Sequence, residues 1–245
     1  THQGAFVQKV YLQTRDRGLL EEEYQEDYAA SLAAFAIARL TNVVEKYMYS
    51  LKTEWRDIAV SGINYIAAHT INDTVINDAS QLDPWMMHSI AELNKLDAVS
   101  EPMTQYTTEY FKYVTKHQLR APDLDSVQDA EHHDMIGSMV EFGSSTVTAA
   151  MAGGLCAAFA VLEPKISNPK QILDSLESAA EFTYQTQYRP ETAMYLPNPG
   201  RVFGGVHDSL TNIDLPSVTS QHAISLFLCL AQTMEIQTKK LKSSW

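Results

Sequence analysis

The sequence is short of cysteine and of positive charge. Only 2 of its 245 residues are cysteine, and 18 Lys and Arg stand against 30 Asp and Glu, for a formal net charge of −12. The basic residues are scattered, whereas nucleic acids and anionic membrane surfaces select clustered ones, so neither is expected as a partner. The longest apolar stretch, 149–162, is shorter than a spanning helix of about 20 residues, so no membrane span is expected. The cytoplasm and an exported location both stay open.

Several nucleotide and nucleophile motifs are also missing. The sequence has no GxGxxG, no P-loop and no Gly-x-Ser-x-Gly elbow, so we expect no organic cofactor. Cys156 and Cys229 each lie in an apolar helical run. They are either two small buried hydrophobic side chains or, if their helices are neighbours, a disulfide pair.

What the sequence does have is alternating helical periodicity. Helices that are apolar almost all round alternate with helices that are polar on one side. The first kind is predicted at 28–40, 85–96, 146–162 and 218–234, and the second at 43–69, 102–119 and 170–188. This alternation predicts an all-α fold of antiparallel helix hairpins in two layers, occupying 28–245 after an irregular segment 1–27. All-round burial is expected of the first kind.

The connecting segments repeat as well. Long polar loops lead into the apolar helices, and short turns such as Thr41-Asn42 leave them. Gly137 and Gly204 lie 67 residues apart, each ahead of an apolar helix, which is the period of one hairpin with a generous loop.

Two stretches carry a family resemblance: Asp83-Pro84-Trp85 with the following 90–93 run Ile-Ala-Glu-Leu, and 197–205 followed by Gln221-His222-Ala223. Both resemble helix starts and loop turns of the α/α-toroid superfamily, which includes glycoside hydrolases, polysaccharide lyases, sugar 2-epimerases, lanthionine cyclases and terpene cyclases. The resemblance implies a toroid. Seven helices are predicted where six hairpins need twelve, so the toroid is open or reduced, or the chain is part of a longer protein.

Missing residues set aside some branches of that superfamily. The chain has no DxDD or DDxxD motif of terpene cyclases and no Cys-His-Gly zinc signature of lanthionine cyclases. The run 131–134, Glu-His-His-Asp, lacks the His-Glu-x-x-His spacing that puts two ligands on one helix face, so no metal site is predicted.

In a toroid the long loops gather at one end and line a pocket. Carbohydrate acid–base chemistry there uses a carboxylate pair, for which Asp208 and Glu141, in equivalent loops, are the candidates. His207 and His222 complete the predicted catalytic set, because an unperturbed histidine titrates near neutrality. Aromatic and polar side chains complete the predicted substrate site: Trp85, Asp83, Tyr188, Tyr195 and Arg201.

Three functions are compatible with this pattern. The leading hypothesis is a carbohydrate-active enzyme of the glycoside hydrolase, lyase or epimerase type, acting on a small-molecule or oligosaccharide ligand. The alternative is a non-catalytic toroid that binds a glycan or a protein, as one module of a larger chain. A third, suggested by the very apolar helices, is a homo-oligomer.

Overall fold

The protein is all-α in the part of the chain that the structure describes. The computed structural model describes residues 27–47, 53–73, 82–120, 133–140, 143–163 and 169–243. The regular structure in these ranges is helical, with two isolated β-bridges, which confirms the predicted class. The predicted irregular segment lies outside these ranges except at its last residue, Asp27.

The helices begin close to where local signals place them. Six predicted starts lie one residue inside the observed ones. At three of these starts the signal is visible, since Asp83 and Ser144 act as N-caps and Pro84 and Pro169 occupy first positions. The observed helices are α1 (Asp27–Lys46), α2 (Thr53–Asp73), α3 (Pro84–Asn94), α4 (Glu101–His117), α5 (Ser145–Leu162), α6 (Pro169–Gln185), α7 (Pro190–Ala193), α8 (Pro199–Val202) and α9 (Ser217–Ser243). The one-turn helices α7 and α8 lie within the predicted loop 189–217.

The chain divides into two compact units. The first comprises Thr1–Tyr110 with Ala160–Leu162, and the second comprises Phe111–Phe159 with Glu163–Trp245. That the residues from 28 onward form a single domain, and that the helices form a toroid, stay predictions.

In the first unit, α1 packs against α2 and α3 through a stripe of small residues. These residues are at most 1% exposed: Ser31, Ala34, Ala38 and Thr41. The other side of α1 carries larger apolar side chains that are 42–45% exposed: Leu32, Leu40 and Val43. The prediction of all-round burial is therefore wrong for α1, because small side chains bring its neighbours close on one side and leave the other side uncovered.

The predicted turn at Thr41-Asn42 is also wrong. The Thr41 hydroxyl donates to the Ile37 carbonyl at 2.8 Å, and the Asn42 amide donates to the side chain and carbonyl of Glu92. Both side chains thus form hydrogen bonds while the backbone stays helical, so α1 continues to Lys46. The predicted helix 43–69 is accordingly divided between two helices, with 43–46 in α1 and 53–69 in α2.

Glu92 is the polar junction between α1 and α3. Glu92 is 6% exposed. One of its carboxylate oxygens accepts from Arg39 at 2.8 Å and from Lys95 at 2.7 Å, and the other accepts from Asn42 at 2.7 Å. Burial alone raises the pKa of Glu92, but the hydrogen bonds and charges of Lys95 and Arg39 outweigh it and hold the pKa below its usual value of 4.5.

We expect Glu92→Gln to cost about 1 kcal/mol of unfolding free energy at pH 7, because Arg39 and Lys95 are more than half exposed and water screens their charges. A carboxyl group with a lowered folded pKa contributes stability above its unfolded value and loses it as pH falls through the folded one. Urea unfolding should therefore show the wild-type advantage shrinking below about pH 4.5. Asp174→Asn, which breaks an exposed ion pair with Lys170, should change nothing measurable. A pH-independent difference for Glu92→Gln would contradict this account.

In the second unit, α5 is the most deeply buried helix. Residues 151–159 are all buried. By length and composition α5 is the one helix among the described residues that could cross a membrane, and 72% of it is buried inside the protein, as in a core helix. Cys156 of α5 and Cys229 of α9 form a disulfide with their Cα atoms 6.4 Å apart, so the disulfide alternative holds.

The last long helix is buried along one stripe only. α9 packs on α6, and in 217–235, where its side chains are described, the buried positions are Thr219, Ala223, Leu226 and Thr233. Ile224 and Leu228, on the opposite side, are each 59% exposed. The prediction of all-round burial is therefore wrong for α9 too, since an apolar sequence does not state how many neighbours a helix has.

Gly137 and Gly204, the predicted repeat markers, share a left-handed backbone, with φ of +94° and +84°. Their surroundings differ. A Cβ atom on Gly137 would overlap the Ser178 carbonyl oxygen, whereas one on Gly204 would meet nothing within 4 Å. Because Gly137 has no Cβ atom, the loop packs directly on the backbone of α6. The Gly137 carbonyl accepts from the side-chain amide of Gln118 at 3.1 Å.

This pair gives a matched test of packing against backbone strain. Gly204→Ala should cost about 1–2 kcal/mol of unfolding free energy, for the positive φ alone. Gly137→Ala adds a steric overlap with fixed backbone and should cost at least about 3 kcal/mol. Urea unfolding of the two variants measures the difference, and equal losses would show that the loop does not pack on α6 in this way.

Candidate functional site

A short extended segment, 206–209, joins three helix ends in the second unit. Val206 forms a β-bridge with Gln187, just after α6, and Ser209 forms one with Ser144, the N-cap of α5. The His207 amide donates to the Thr186 carbonyl at 3.0 Å. The segments preceding α5 and α9 thus meet beside the end of α6.

Hydroxyl groups fill this junction. The Ser145 hydroxyl donates to the Thr186 hydroxyl at 2.8 Å, and both residues are fully buried. The Thr146 hydroxyl donates to the Asp208 carboxylate at 2.6 Å and also contacts the Thr219 hydroxyl. The Thr146 hydroxyl has a single proton, which it donates in the hydrogen bond to the carboxylate. Thr219 must therefore be the donor in its hydrogen bond with Thr146. A directed chain therefore runs from α9 through α5 to Asp208.

Asp208 is held on every side. One carboxylate oxygen accepts from Thr146, and the other accepts from the Asn212 amide at 3.3 Å. Its carbonyl accepts from the Ser145 amide at 2.7 Å, and its own amide donates to the Asp214 carbonyl at 3.0 Å. This arrangement suits a residue that positions its neighbours. The predicted partner, Glu141, lies outside the described residues.

His207 is half-buried, and its orientation is set by two contacts. Its Nδ1 atom is hydrogen-bonded to the Ser209 carbonyl, and its ring lies 5.3 Å from that of Tyr188. A carbonyl oxygen can only accept, so Nδ1 carries the proton, and a neutral ring then has its lone pair on Nε2. A fixed imidazole with a lone pair on Nε2 is what a general base requires.

The Tyr188 ring packs against the His207 ring. Tyr188 is 8% exposed, its amide donates to the Gly205 carbonyl at 2.8 Å, and its carbonyl accepts from the Gly204 amide at 2.8 Å. Because it is buried, the Tyr188 ring is better placed to fix the orientation of His207 than to contact a ligand. Tyr195, by contrast, is 79% exposed, and Arg201 is exposed on α8.

His222 lies half-buried near the start of α9. Burial lowers the pKa of His222 below its usual value of 6.5, because the charged imidazolium loses hydration. The ring is therefore neutral at physiological pH.

Trp85 and Asp83 belong to the first unit. The Asp83 carboxylate caps α3 by accepting from the Trp85 amide at 2.8 Å. The Trp85 ring packs 5.6 Å from those of Phe35 and His88. Both side chains thus hold the start of α3 and its contact with α1.

Metal ligands are not grouped in the described part of the chain. No three His, Cys, Asp or Glu side chains among the described residues come together as a metal site. His133 and Asp134 are exposed, and the two residues before them lie outside the described ranges.

The residues that sequence reasoning missed are the hydroxyls of the junction. Their signal was present, since Ser or Thr occupies 144–146, 183, 186, 209 and 219, around the ends of three predicted helices. A hydroxyl-rich helix start is so common as a cap that its pairing with a distant segment is visible only in three dimensions.

The chain was also compared with known proteins. No family model, curated protein or solved structure matches it.

Proposed function

We propose that the protein is a carbohydrate-active enzyme in which His207 moves a proton to or from the substrate. The observation that carries the proposal is the imidazole itself, fixed by the Ser209 carbonyl and the Tyr188 ring so that Nε2 presents a lone pair. An imidazole held in one tautomer and orientation can accept a proton at its second nitrogen.

Within that class, the geometry favours lyase or epimerase chemistry over hydrolysis. Glycoside hydrolysis takes two carboxyl groups, one of them protonated. The Asp208 carboxylate is engaged by Thr146 and Asn212, which fits a positioning role. Removal of a proton beside a carbonyl or carboxyl group starts with one oriented base, which His207 supplies. In an epimerase a proton then returns to the opposite face of that carbon, and in a lyase the electron pair expels the leaving sugar oxygen, which takes up a proton.

The neighbouring side chains have distinct roles in this proposal. Tyr195 and Arg201, both exposed in the segment that follows Tyr188, contact the substrate through a flat ring and a cation. His222, half-buried near the start of α9, is the second proton carrier in this proposal. The disulfide between Cys156 and Cys229 supports an oxidising compartment outside the cytoplasm, because such bonds persist there.

The test is His207→Asn, because the Asn amide can still donate to the Ser209 carbonyl while the base is lost. We expect proton exchange at the substrate carbon, followed by NMR in D₂O over a panel of sugars and oligosaccharides, to fall at least about 100-fold. The melting temperature should stay within error, since the supporting hydrogen bond is kept.

His69→Asn is the matched control. His69 also bonds a carbonyl through Nδ1, that of Tyr65 at 2.7 Å, and lies against the Tyr65 ring, but it is exposed on α2. It should keep full activity. Release of reducing ends without exchange from solvent would favour a hydrolase, and undiminished exchange in His207→Asn would remove the assignment.

A second candidate is a non-catalytic glycan-binding module. It is favoured by two exposed rings in the segment that follows Tyr188, Tyr195 at 79% and Phe203 at 61% exposed. Rings of this kind can carry the apolar face of a sugar. Glycan binding that Tyr195→Ala and Phe203→Ala abolish, with no turnover in the wild type, would identify this function.

A further inference from the structure

Two contacts join α5 to α9 within the second unit. Near the helix starts the Thr146 hydroxyl is hydrogen-bonded to the Thr219 hydroxyl, and further along Cys156 forms its disulfide with Cys229. Both contacts join residues that are 73 positions apart in the sequence. An offset that stays constant along two helices means that they run in the same direction. α5 and α9 are therefore parallel and in register from the first contact to the second.

The disulfide lies close to the candidate site along these helices. Cys156 follows Thr146 by ten residues, which is a rise of about 15 Å along α5. Thr146 is the middle member of the hydrogen-bonded chain that runs from Thr219 to the Asp208 carboxylate. A bond that keeps the two helices in register therefore also keeps Thr219 opposite Thr146.

The noncovalent packing of α9 is modest in 217–235, where its side chains are described. Four positions are buried there: Thr219, Ala223, Leu226 and Thr233. Only Leu226 is a large apolar residue, and burial of small side chains contributes little, because the contribution grows with the apolar area removed from water. The Thr233 hydroxyl lies 3.6 Å from the Cys156 sulfur, so the disulfide belongs to the same buried stripe. We therefore expect the covalent bond to supply a large share of what holds α9 to α5.

We propose that the disulfide is a redox-sensitive switch of the candidate site. When it is closed, it holds Thr219 opposite Thr146 and so fixes the segment 206–209. When it is reduced, the start of α9 opens locally and His207 loses its fixed orientation. The site is thus ordered in an oxidising environment and loosened by a thiol reductant. For its effect on catalysis, this inference rests on the proposed function.

The reductant is a dithiol, and it reaches the bond at Cys229. Cys229 is half-buried, whereas Cys156 is 3% exposed. A thiolate of the dithiol attacks the Cys229 sulfur, forms a mixed disulfide there and expels Cys156 as a thiolate, which takes up a proton. The second thiol of the reductant then displaces Cys229, which also takes up a proton. The protein disulfide has gained two electrons and two protons, and the dithiol has been oxidised to its own disulfide.

The experiment is amide hydrogen exchange of the folded full chain, measured by mass spectrometry with and without dithiothreitol. Reduction should accelerate exchange at least about 10-fold in 206–209 and 217–222, because local opening exposes these amides to water. The His207 amide, which donates to the Thr186 carbonyl at 3.0 Å, is the most direct probe. Exchange in 151–159 of α5, where every residue is buried, and in α3 of the first unit should change less than about 2-fold.

Thr219→Val is the variant that tests the route from the disulfide to the site. It removes the hydroxyl that links α9 to Thr146 and keeps the disulfide. Reduction of this variant should still accelerate exchange at the start of α9, but should change exchange in 206–209 less than about 2-fold, because the link is already broken. Thr70→Val is the matched control, since the Thr70 hydroxyl donates to the Ile66 carbonyl within α2. It should respond to reduction as the wild type does.

Four results would each overturn the proposal: unchanged exchange in 206–209 after reduction, equal acceleration throughout the second unit, an undiminished response of 206–209 in Thr219→Val, or a disulfide that dithiothreitol reduces only in denaturant. A count of free thiols by mass spectrometry checks the reduction itself. Amide exchange needs no substrate, so failure of the switch and failure of the proposed function are separate results.

Discussion

The candidate site depends on one hydrogen-bonded chain, from the Thr219 hydroxyl through Thr146 to the Asp208 carboxylate. Together with the bond from the Ser145 amide to the Asp208 carbonyl, it fixes the segment 206–209 against the starts of α5 and α9. Ser145 and Thr219 are fully buried, so a lost partner would leave a polar group without water and cost about 1–3 kcal/mol. His207, next in sequence, receives its orientation from this frame.

The hydrogen bonds around this segment distinguish a positioning residue, Asp208, from a candidate proton carrier, His207, which residue type alone does not. Asp208 is the carboxylate that sequence reasoning selects first, yet its oxygens are engaged by Thr146 and Asn212. His207 has one ring nitrogen fixed by a carbonyl, which leaves the other suited to proton transfer. The roles that we propose follow from the hydrogen-bond partners of each side chain. Two residues that are adjacent in sequence therefore receive different roles.

Local features of the fold were predictable, and features that depend on neighbours were not. The Asp83 cap and the positive φ of Gly137 and Gly204 follow from short-range chemistry, and six of the seven predicted helix starts lie within one residue of the observed ones. Thr41 and Asn42 resemble a turn only until their partners, Ile37 and Glu92, are known.

The same limit applies to burial. The exposed sides of α1 and α9 show that an apolar helix need not be covered all round, because burial depends on the number of neighbouring elements.

The most direct measurement is the coupling energy between Thr146 and Asp208 in a double-mutant cycle, with Thr146→Val and Asp208→Asn unfolded in urea singly and together. If their hydrogen bond holds the junction, the two losses should be non-additive, with a coupling of about 1–3 kcal/mol. Additivity within about 0.5 kcal/mol would contradict the account, because two residues that do not interact behave in that way.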